Sequence, residues 1–271
     1  MSLHDAFARF TPYELLFPGL SSARAHFDAI RSEADAREVD VRDPSSFVML
    51  AATGQAVREI RSAEDDPALI RQYGLLLYHA FHFREQGEEL YLIEAEVLRA
   101  LLDEDPEVLG WRPSLGETVG HAAGYFQLPQ HLVWVRSEED AAPESLDGVF
   151  WMRSTDEHLE LLLVLGMRGE RPGLSVVDLS DLPLNDVWDW SRLPAREEGG
   201  DFSSSLPGSE LEGLYELRSA GEALKLAARV LWRLECGEEG SRGIGSEQSG
   251  SGGPRASEIP FRRIERHSAA R

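Results

Sequence analysis

The stretch from Gly124 to Leu182 constrains the fold most, because the densest β-forming residues of the chain lie there between turn residues. Short runs rich in valine, leucine, phenylalanine and tryptophan are separated by segments containing Pro129, Pro143 or Gly169. The connections are too short to hold crossover helices, so we expect neighbouring strands to be antiparallel. The pattern predicts a five-stranded meander sheet with strands at residues 124–128, 131–136, 148–153, 158–167 and 174–179.

The predicted strands lack the apolar–polar alternation of a sheet that has one face in water. Leu132 and Trp134 point to one face, while Val133 and Val135 point to the other. Residues 161–165 are apolar without interruption, although a buried helical turn also fits the periodicity of this run. We therefore expect both faces of the sheet to be covered by helices from the rest of the chain.

Helix signals lie on both sides of this stretch. Asp43-Pro44 and Asp66-Pro67 each place a capping carboxylate before a proline at a first helical position. Ser209 and Glu212 have the spacing of a capping box. Together with the apolar periodicity, these signals predict helices over residues 22–38, 45–62, 67–85, about 90–103 and 209–235.

These elements predict an α+β protein: an N-terminal helical bundle packed on the five-stranded antiparallel sheet, a long C-terminal helix and a disordered tail. The predicted regions are residues 1–110 for the bundle, 111–236 for the sheet with the C-terminal helix, and 237–271 for a flexible tether with a basic and apolar tail. The sequence leaves open whether bundle and sheet fold as one domain or as two.

Composition narrows the class of partner and the compartment. The formal net charge is -21, and nucleic-acid binding requires a basic face that releases counterions, so we expect no nucleic-acid partner. The single cysteine, Cys236, excludes a disulfide framework within the chain and is typical of a reducing compartment. No apolar run approaches the roughly 18 residues of a membrane span. We therefore expect a cytoplasmic protein with no membrane span.

One group of potential metal ligands lies on a predicted helix. His79, His82 and Glu85 follow one another at a spacing of three, and a divalent metal accepts two imidazoles and a carboxylate. The core aromatics around them favour the alternative, in which they are partly buried side chains hydrogen-bonded within the bundle. We expect no cofactor, and keep as the alternative function a metal-dependent enzyme or small-ligand sensor with a pocket between bundle and sheet.

Two loops carry weaker signals. Arg168 and Arg171 would offer two guanidinium groups to an anion, but Glu170 would repel it, and a plain hairpin turn explains the same residues. Trp188 and Trp190 lie in a proline-bounded segment, where they serve either as interface anchors or as packing over the sheet edge.

The C-terminal residues carry the most specific functional hypothesis. Gly and Ser dominate from Gly237 to Ser257, as is typical of a flexible tether. We expect the segment beyond it to dock on a protein partner or on the chain's own acidic body, although a tail without a partner fits as well. The hypothesis is a non-enzymatic cytoplasmic adaptor or assembly protein whose interaction residues, besides the two tryptophans, are Ile259, Phe261, Arg262, Arg263 and Ile264.

Overall fold

The computed structural model describes residues 11–16, 20–41, 46–59, 67–103, 123–135, 143–155, 158–166, 174–183, 215–217, 220–236, 259 and 261–264. Within these ranges the chain is a mixed α/β protein. Its helices are α1 (Pro12–Leu16), α2 (Leu20–Asp35), α3 (Ser46–Glu59), α4 (Pro67–Glu85), α5 (Ala95–Asp103) and α6 (Ala220–Cys236). Its strands are β1 (Leu90–Ile93), β2 (Ala123–Gln127), β3 (Val133–Val135), β4 (Glu144–Thr155), β5 (His158–Leu165), β6 (Ser175–Pro183), β7 (Tyr215–Leu217) and β8 (Phe261–Ile264).

The sheet is mostly antiparallel but mixed. Six strands follow one another in the order β6-β5-β4-β2-β1-β8, while β3 pairs with β4 and with β7. The pairs β2–β4, β3–β4, β4–β5 and β5–β6 are antiparallel, whereas β1–β2, β1–β8 and β3–β7 are parallel. The prediction of a purely antiparallel five-stranded sheet is therefore wrong, because strands from outside the central stretch join it in parallel.

The predicted meander holds for β4, β5 and β6 but not for the first two strands. β2 pairs with residues 148–152 of β4, and β3 pairs with Glu144 and Ser145 of the same strand. β2 and β3 thus lie one after the other along β4 rather than side by side. The 12 residues of β4 make it long enough to pair with both. The connection at Leu128–Leu132 has His131 in the left-handed region (φ 60°). It separates the two strands that pair along the same side of β4 and forms no hairpin.

The segment predicted as a helix from residue 90 begins instead as strand β1. α4 ends in a Schellman arrangement, in which Gly87 N–H donates to Arg84 O and Glu88 N–H donates to Phe83 O. Gly87 and Glu88 both have positive φ, 105° and 58°, so the chain reverses here and Leu90–Ile93 emerges in extended form. The helix starts only at Ala95, since Glu94 O accepts the Leu98 N–H.

The C-terminal predictions also need correction. The helix predicted from Ser209 begins at Ala220, and Tyr215–Leu217 within the predicted span is strand β7. Residues 209–214 lie outside the described part. The tail predicted as disordered contains strand β8 at residues 261–264, which pairs with β1. A long-range partner in the sheet overrides the local Gly- and Ser-rich context of this segment.

The two faces of the sheet bury different clusters. On β4 and β5, Phe150, Met152, Leu162 and Val164 belong to the cluster of one side, here the α4 face, which includes residues of α2, α3 and α4. The intervening residues belong to the cluster of the α6 face, with residues of α5 and α6. This division agrees with the uninterrupted apolar runs of the strands. The α6-face residues of these strands are Leu146, Val149, Trp151, Leu159, Leu161, Leu163 and Leu165.

No helix within the described ranges has both the length and the apolar character required to cross a membrane.

Candidate functional site

The first candidate site is the sheet edge formed by β1 and β8. β8 runs parallel to β1 in the register Leu90↔Phe261 to Ile93↔Ile264. The Glu94 N–H donates to Ile264 O at 3.2 Å, which continues the ladder past the end of β1. A C-terminal segment remote in sequence thus supplies the last strand in the order of the sheet.

The segment at 259–264 contributes to both faces of the sheet. Ile259 is 5% exposed and belongs to the α4-face cluster. Ile264 is partly buried and packs against the α6-face cluster. Two isoleucines five positions apart therefore hold the segment from opposite sides, and burial of each apolar side chain stabilises the contact. Ile259 and Ile264 are the predicted tail residues whose side chains the structure describes. Phe261, Arg262 and Arg263 are placed by their backbone register alone.

The charges near this edge are of opposite sign. β1 is flanked by Glu88 and Glu89 before it and by Glu94 and Glu96 after it. The docked strand carries Arg262 and Arg263 in its sequence. Opposite charge on the two segments favours their association and selects a basic strand over an acidic one.

The second candidate site is a pair of histidines on α4. His79 and His82 are 2% and 1% exposed, and His79 lies near Phe150 of β4, with ring centroids 6.5 Å apart. The ring of Tyr78 stands 5.3 Å from that of His79 and 4.9 Å from that of His82. Among the residues that the structure describes, neither ring nitrogen of His79 has a hydrogen-bond partner, nor does Nε2 of His82.

Burial makes both imidazoles neutral. Desolvation lowers the pKa of His79 to about 3, with a further contribution from the neighbouring His82. Desolvation likewise lowers the pKa of His82 to about 4. Neutral imidazoles both donate and accept hydrogen bonds and can ligate metals. Among the described residues, three of the four ring nitrogens have no partner for the hydrogen bonds that the sequence predicts.

Glu85 does not join the two histidines. Its Oε2 accepts a hydrogen bond from Nη2 of Arg31 on α2. Within the described ranges, no group of three or more His, Cys, Asp or Glu side chains is arranged to hold a metal ion. The geometry therefore brings together two members of the predicted metal set and directs the third to an ion pair.

The other predicted residues lie outside the described part of the chain. These are Arg168 and Arg171 of the predicted anion-binding turn, and Trp188 and Trp190 of the predicted interface loop.

Sequence reasoning missed the buried cations of α6. Arg229 is fully buried, and its Nη1 donates to the backbone oxygens of Leu101 and, at 3.4 Å, of Leu102 near the end of α5. A cation at this position satisfies carbonyls that the helix end leaves without intrahelical donors. Lys225, one turn earlier, is fully buried as well. The available signal was the spacing of these two residues within an otherwise apolar stretch.

Comparisons with known proteins leave the family of the chain unassigned. No protein-family model matches it, and no curated protein matches its sequence. A solved structure described as the crystal structure of AcrVA2 matches 70% of this chain at 13% identity, with a TM-score of 0.35. The chain spans 63% of that protein's length. A likeness this low supports no conclusion about function.

Proposed function

We propose that this chain is a non-enzymatic protein-interaction protein, an adaptor or assembly factor, whose C-terminal segment is a tethered docking strand. The observation that supports the proposal is the addition of β8 to the sheet edge beside β1. A strand added to an open edge gains its affinity from backbone hydrogen bonds and its selectivity from the side chains on either side.

The tether gives this strand the freedom that an adaptor requires. Between α6 and Ile259 lie residues 237–258, most of which are Gly, Ser or charged. A flexible segment of this length has a root-mean-square reach of about 25 Å. The docked strand can therefore leave its own sheet and reach a partner without unfolding the helices. We place this activity in the cytoplasm because the chain has one cysteine.

The proposal also assigns a role to the helical part. Residues of α1–α4 belong to the cluster on one face of the sheet, and residues of α5 and α6 belong to the cluster on the other. A sheet covered on both faces exposes backbone groups for pairing only at its edges. The edges are then the natural sites for specific contacts with another protein.

A comparison of cross-linked partners tests the proposal. The full chain and a chain that lacks residues 258–271 are expressed in the source cell, cross-linked and analysed by mass spectrometry. We expect the shortened chain to lose at least one partner whose cross-links in the full chain map to residues 258–271. A full-length Ser268→Ala, Arg271→Ala variant, changed only beyond β8, serves as the control and should keep the partner. An identical partner set for the full and shortened chains would contradict the proposal.

The second candidate function is a metal-dependent enzyme or small-ligand sensor with a site between α4 and the sheet. It is favoured by the nitrogens of His79 and His82 that lack partners among the described residues, because buried polar groups without partners are rare in folded proteins. Elemental analysis of protein purified without chelators tests it. This candidate predicts a stoichiometric metal, or a ligand recovered on denaturation, that is lost in a folded His79→Leu variant. Absence of both would remove it.

A further inference from the structure

The edge of β1 is covered by the chain's own C-terminal segment, which pairs with it as β8. Successive residues of a strand direct their backbone groups to opposite edges. The Glu94 N–H donates to Ile264 O, whereas Glu89 O accepts from the Tyr125 N–H on the β2 side. The alternation therefore directs Leu90, Leu92 and Glu94 to β8, and directs Tyr91 and Ile93 to β2. Removal of β8 would leave the first three with an open row of donors and acceptors.

We propose that this edge is a peptide-binding site that accepts, by parallel strand addition, an extended basic and apolar segment of another protein. In this structure the chain's own residues 259–264 occupy the site in place of that segment. The inference deepens the proposed function and rests on it, because it takes docking by strand addition as the mode of interaction and names the surface that receives the partner.

The resident segment shows which chemistry the site accepts. An apolar side chain at the position of Ile259 enters the α4-face cluster, and a second one at the position of Ile264 packs on the α6-face cluster. Arg262 and Arg263 lie between these anchors in a chain whose net charge is -21, beside a strand flanked by four glutamates. The partner segment is thus expected to carry two apolar residues five positions apart with basic residues between them.

The resident segment can be displaced by a segment that makes more backbone hydrogen bonds to β1. Within the described part of the segment, the four residues of β8 pair with β1. Pro260 has no backbone N–H, so the segment cannot extend the ladder with a donor at that residue. A partner with an ordinary residue there, or with a longer strand, gains backbone hydrogen bonds that the resident segment lacks.

The tether favours a foreign segment over a second copy of the chain as the competing occupant of the edge. It holds the resident strand at an effective concentration on the order of millimolar. A second copy carries the identical segment, so it competes only when the protein itself approaches that concentration. A foreign segment avoids this limit by binding more tightly than the resident one. The site therefore fits a foreign partner.

A labelled peptide covering residues 258–266 is the probe for the open edge. It is titrated into the full-length wild-type chain and into a full-length Ile259→Asp, Ile264→Asp variant, whose own strand has lost both anchors. We expect the variant to bind the probe at least ~10-fold more tightly, because the tethered competitor no longer occupies the edge. Equal affinity for both chains, or no binding to the variant while its thermal unfolding remains cooperative, would overturn the inference.

Two modified probes test whether binding occurs through the edge of β1. Arg262 directs its backbone groups to β1, whereas Arg263 directs them away, since Ile264 O accepts from Glu94. N-methylation of the probe at residue 262 is expected to weaken binding ~10-fold or more, and at residue 263 by less than ~2-fold. Equal effects of the two methyl groups would overturn strand addition in this register.

A cleavable form of the chain keeps the test valid if the double variant does not fold. A protease site placed in the Gly- and Ser-rich sequence at residues 243–250 allows the tail to be released from the folded wild-type body. After cleavage and dilution, the probe should bind as tightly as expected for the variant, and before cleavage at least ~10-fold more weakly. No gain on cleavage would contradict the inference.

The two proposals fail separately. Probe binding at the edge with an unchanged partner set on removal of residues 258–271 would remove the tail as a docking strand and keep the receiving site. Loss of a partner with no probe binding would keep the tail as a docking strand and remove the receiving site. A dimer of the wild-type chain at micromolar concentration that is lost in the double variant would assign the edge to a second copy and overturn the choice of a foreign segment.

Discussion

The two faces of the sheet bury different kinds of polar side chain, although both are built from alternate residues of the same strands. The α4 face buries His79 and His82, which are neutral and have ring nitrogens without hydrogen-bond partners among the described residues. The α6 face buries Arg229, whose guanidinium donates to the carbonyls of Leu101 and Leu102. Histidine can lose its proton on burial, whereas arginine cannot and requires acceptors. The stability of the α4 face should therefore depend on pH, and that of the α6 face on hydrogen-bond geometry.

Acidification should produce the largest difference between the faces. The folded pKa values of His79 and His82 are about 3 and about 4, below the ordinary value of 6.5 that applies when the chain is unfolded. Below 6.5 the unfolded chain binds more protons, so the stability contribution present above 6.5 is lost as the pH falls towards the folded pKa values. We expect a loss of about 4 kcal/mol between neutral pH and about pH 4.5. Asp178 acts weakly in the opposite direction, since burial raises the pKa of its half-exposed carboxyl group.

A His79→Leu variant assigns this acid sensitivity to the α4 face. Leucine has similar bulk and no titratable group, so we expect about half of the pH dependence to disappear and stability at neutral pH to be kept or increased. Urea unfolding at a series of pH values measures both effects. An unchanged pH slope in the variant would show that other groups control acid stability.

Alanine substitutions at two glycines compare how tightly aromatic rings pack on the two faces of the sheet. A Cβ at Gly148 would overlap the hydroxyl oxygen of Tyr125 and lie 2.6 Å from the backbone oxygen of Phe126. A Cβ at Gly124 would lie 2.8 Å from the indole of Trp151, which is a side chain and can shift. We expect Gly148→Ala to cost about 3 kcal/mol and Gly124→Ala about 1 to 2 kcal/mol.

Gly54 in α3 serves as the control for this pair. A Cβ there would meet no described atom within 4 Å, so Gly54→Ala should stabilise the protein by about 0.5 to 1 kcal/mol through helix propensity. Denaturant unfolding of the three variants gives the comparison. A smaller cost at Gly148 than at Gly124 would mean that the α4 face is the more adaptable one.

Arg229→Lys tests the hydrogen-bond geometry of the α6 face. Lysine keeps the charge but lacks the planar guanidinium that reaches two adjacent carbonyls, so we expect a loss of about 1 to 2 kcal/mol. Arg233→Lys, on the same helix and only partly buried, is the matched control and should change stability by less than about 0.5 kcal/mol. Equal effects at the two positions would contradict a specific role for Arg229.

Truncation of two isoleucines of the α4-face cluster compares the interior of this cluster with the C-terminal segment that docks on it. Ile30 in α2 is fully buried and Ile259 is 5% exposed. Ile30→Ala should cost about 3 kcal/mol, as is usual for a core truncation. Ile259→Ala should cost less than about 1 kcal/mol, because the weakened segment detaches before the rest unfolds and limits the loss. Similar costs for both, measured by urea unfolding, would make the segment an integral part of the core.

The central strands were predictable because their signals are local. The turn residues after β4 and β5 and the uninterrupted apolar runs indicate both the hairpins and the two covered faces. β1 was not predictable in this way, since Leu90–Ile93 is short and its apolar residues also fit a helix. Its strand conformation depends on pairing with β2 and β8, which lie far away in the sequence.

The candidate sites were predictable only in part. The Ile259–Ile264 segment stood out by composition, but its position beside β1 depends on a contact with a strand about 170 residues earlier, and such pairings carry no local signal. His79 and His82 were recognisable as a pair, whereas the pairing of Glu85 with Arg31 depends on how α2 packs against α4. Arg229 was missed because basic residues are rarely fully buried.

Amide hydrogen exchange along β1 tests most directly whether the C-terminal segment closes the sheet. Exchange is compared between the full chain and the chain lacking residues 258–271, with Leu92 and Glu94 directed to β8 and Tyr91 and Ile93 directed to β2. We predict that exchange at Leu92 and Glu94 accelerates by ~10-fold or more in the shortened chain, while Tyr91 and Ile93 remain protected. Unchanged protection at all four amides would contradict the position of β8, and with it the account of the edge as the site of interaction.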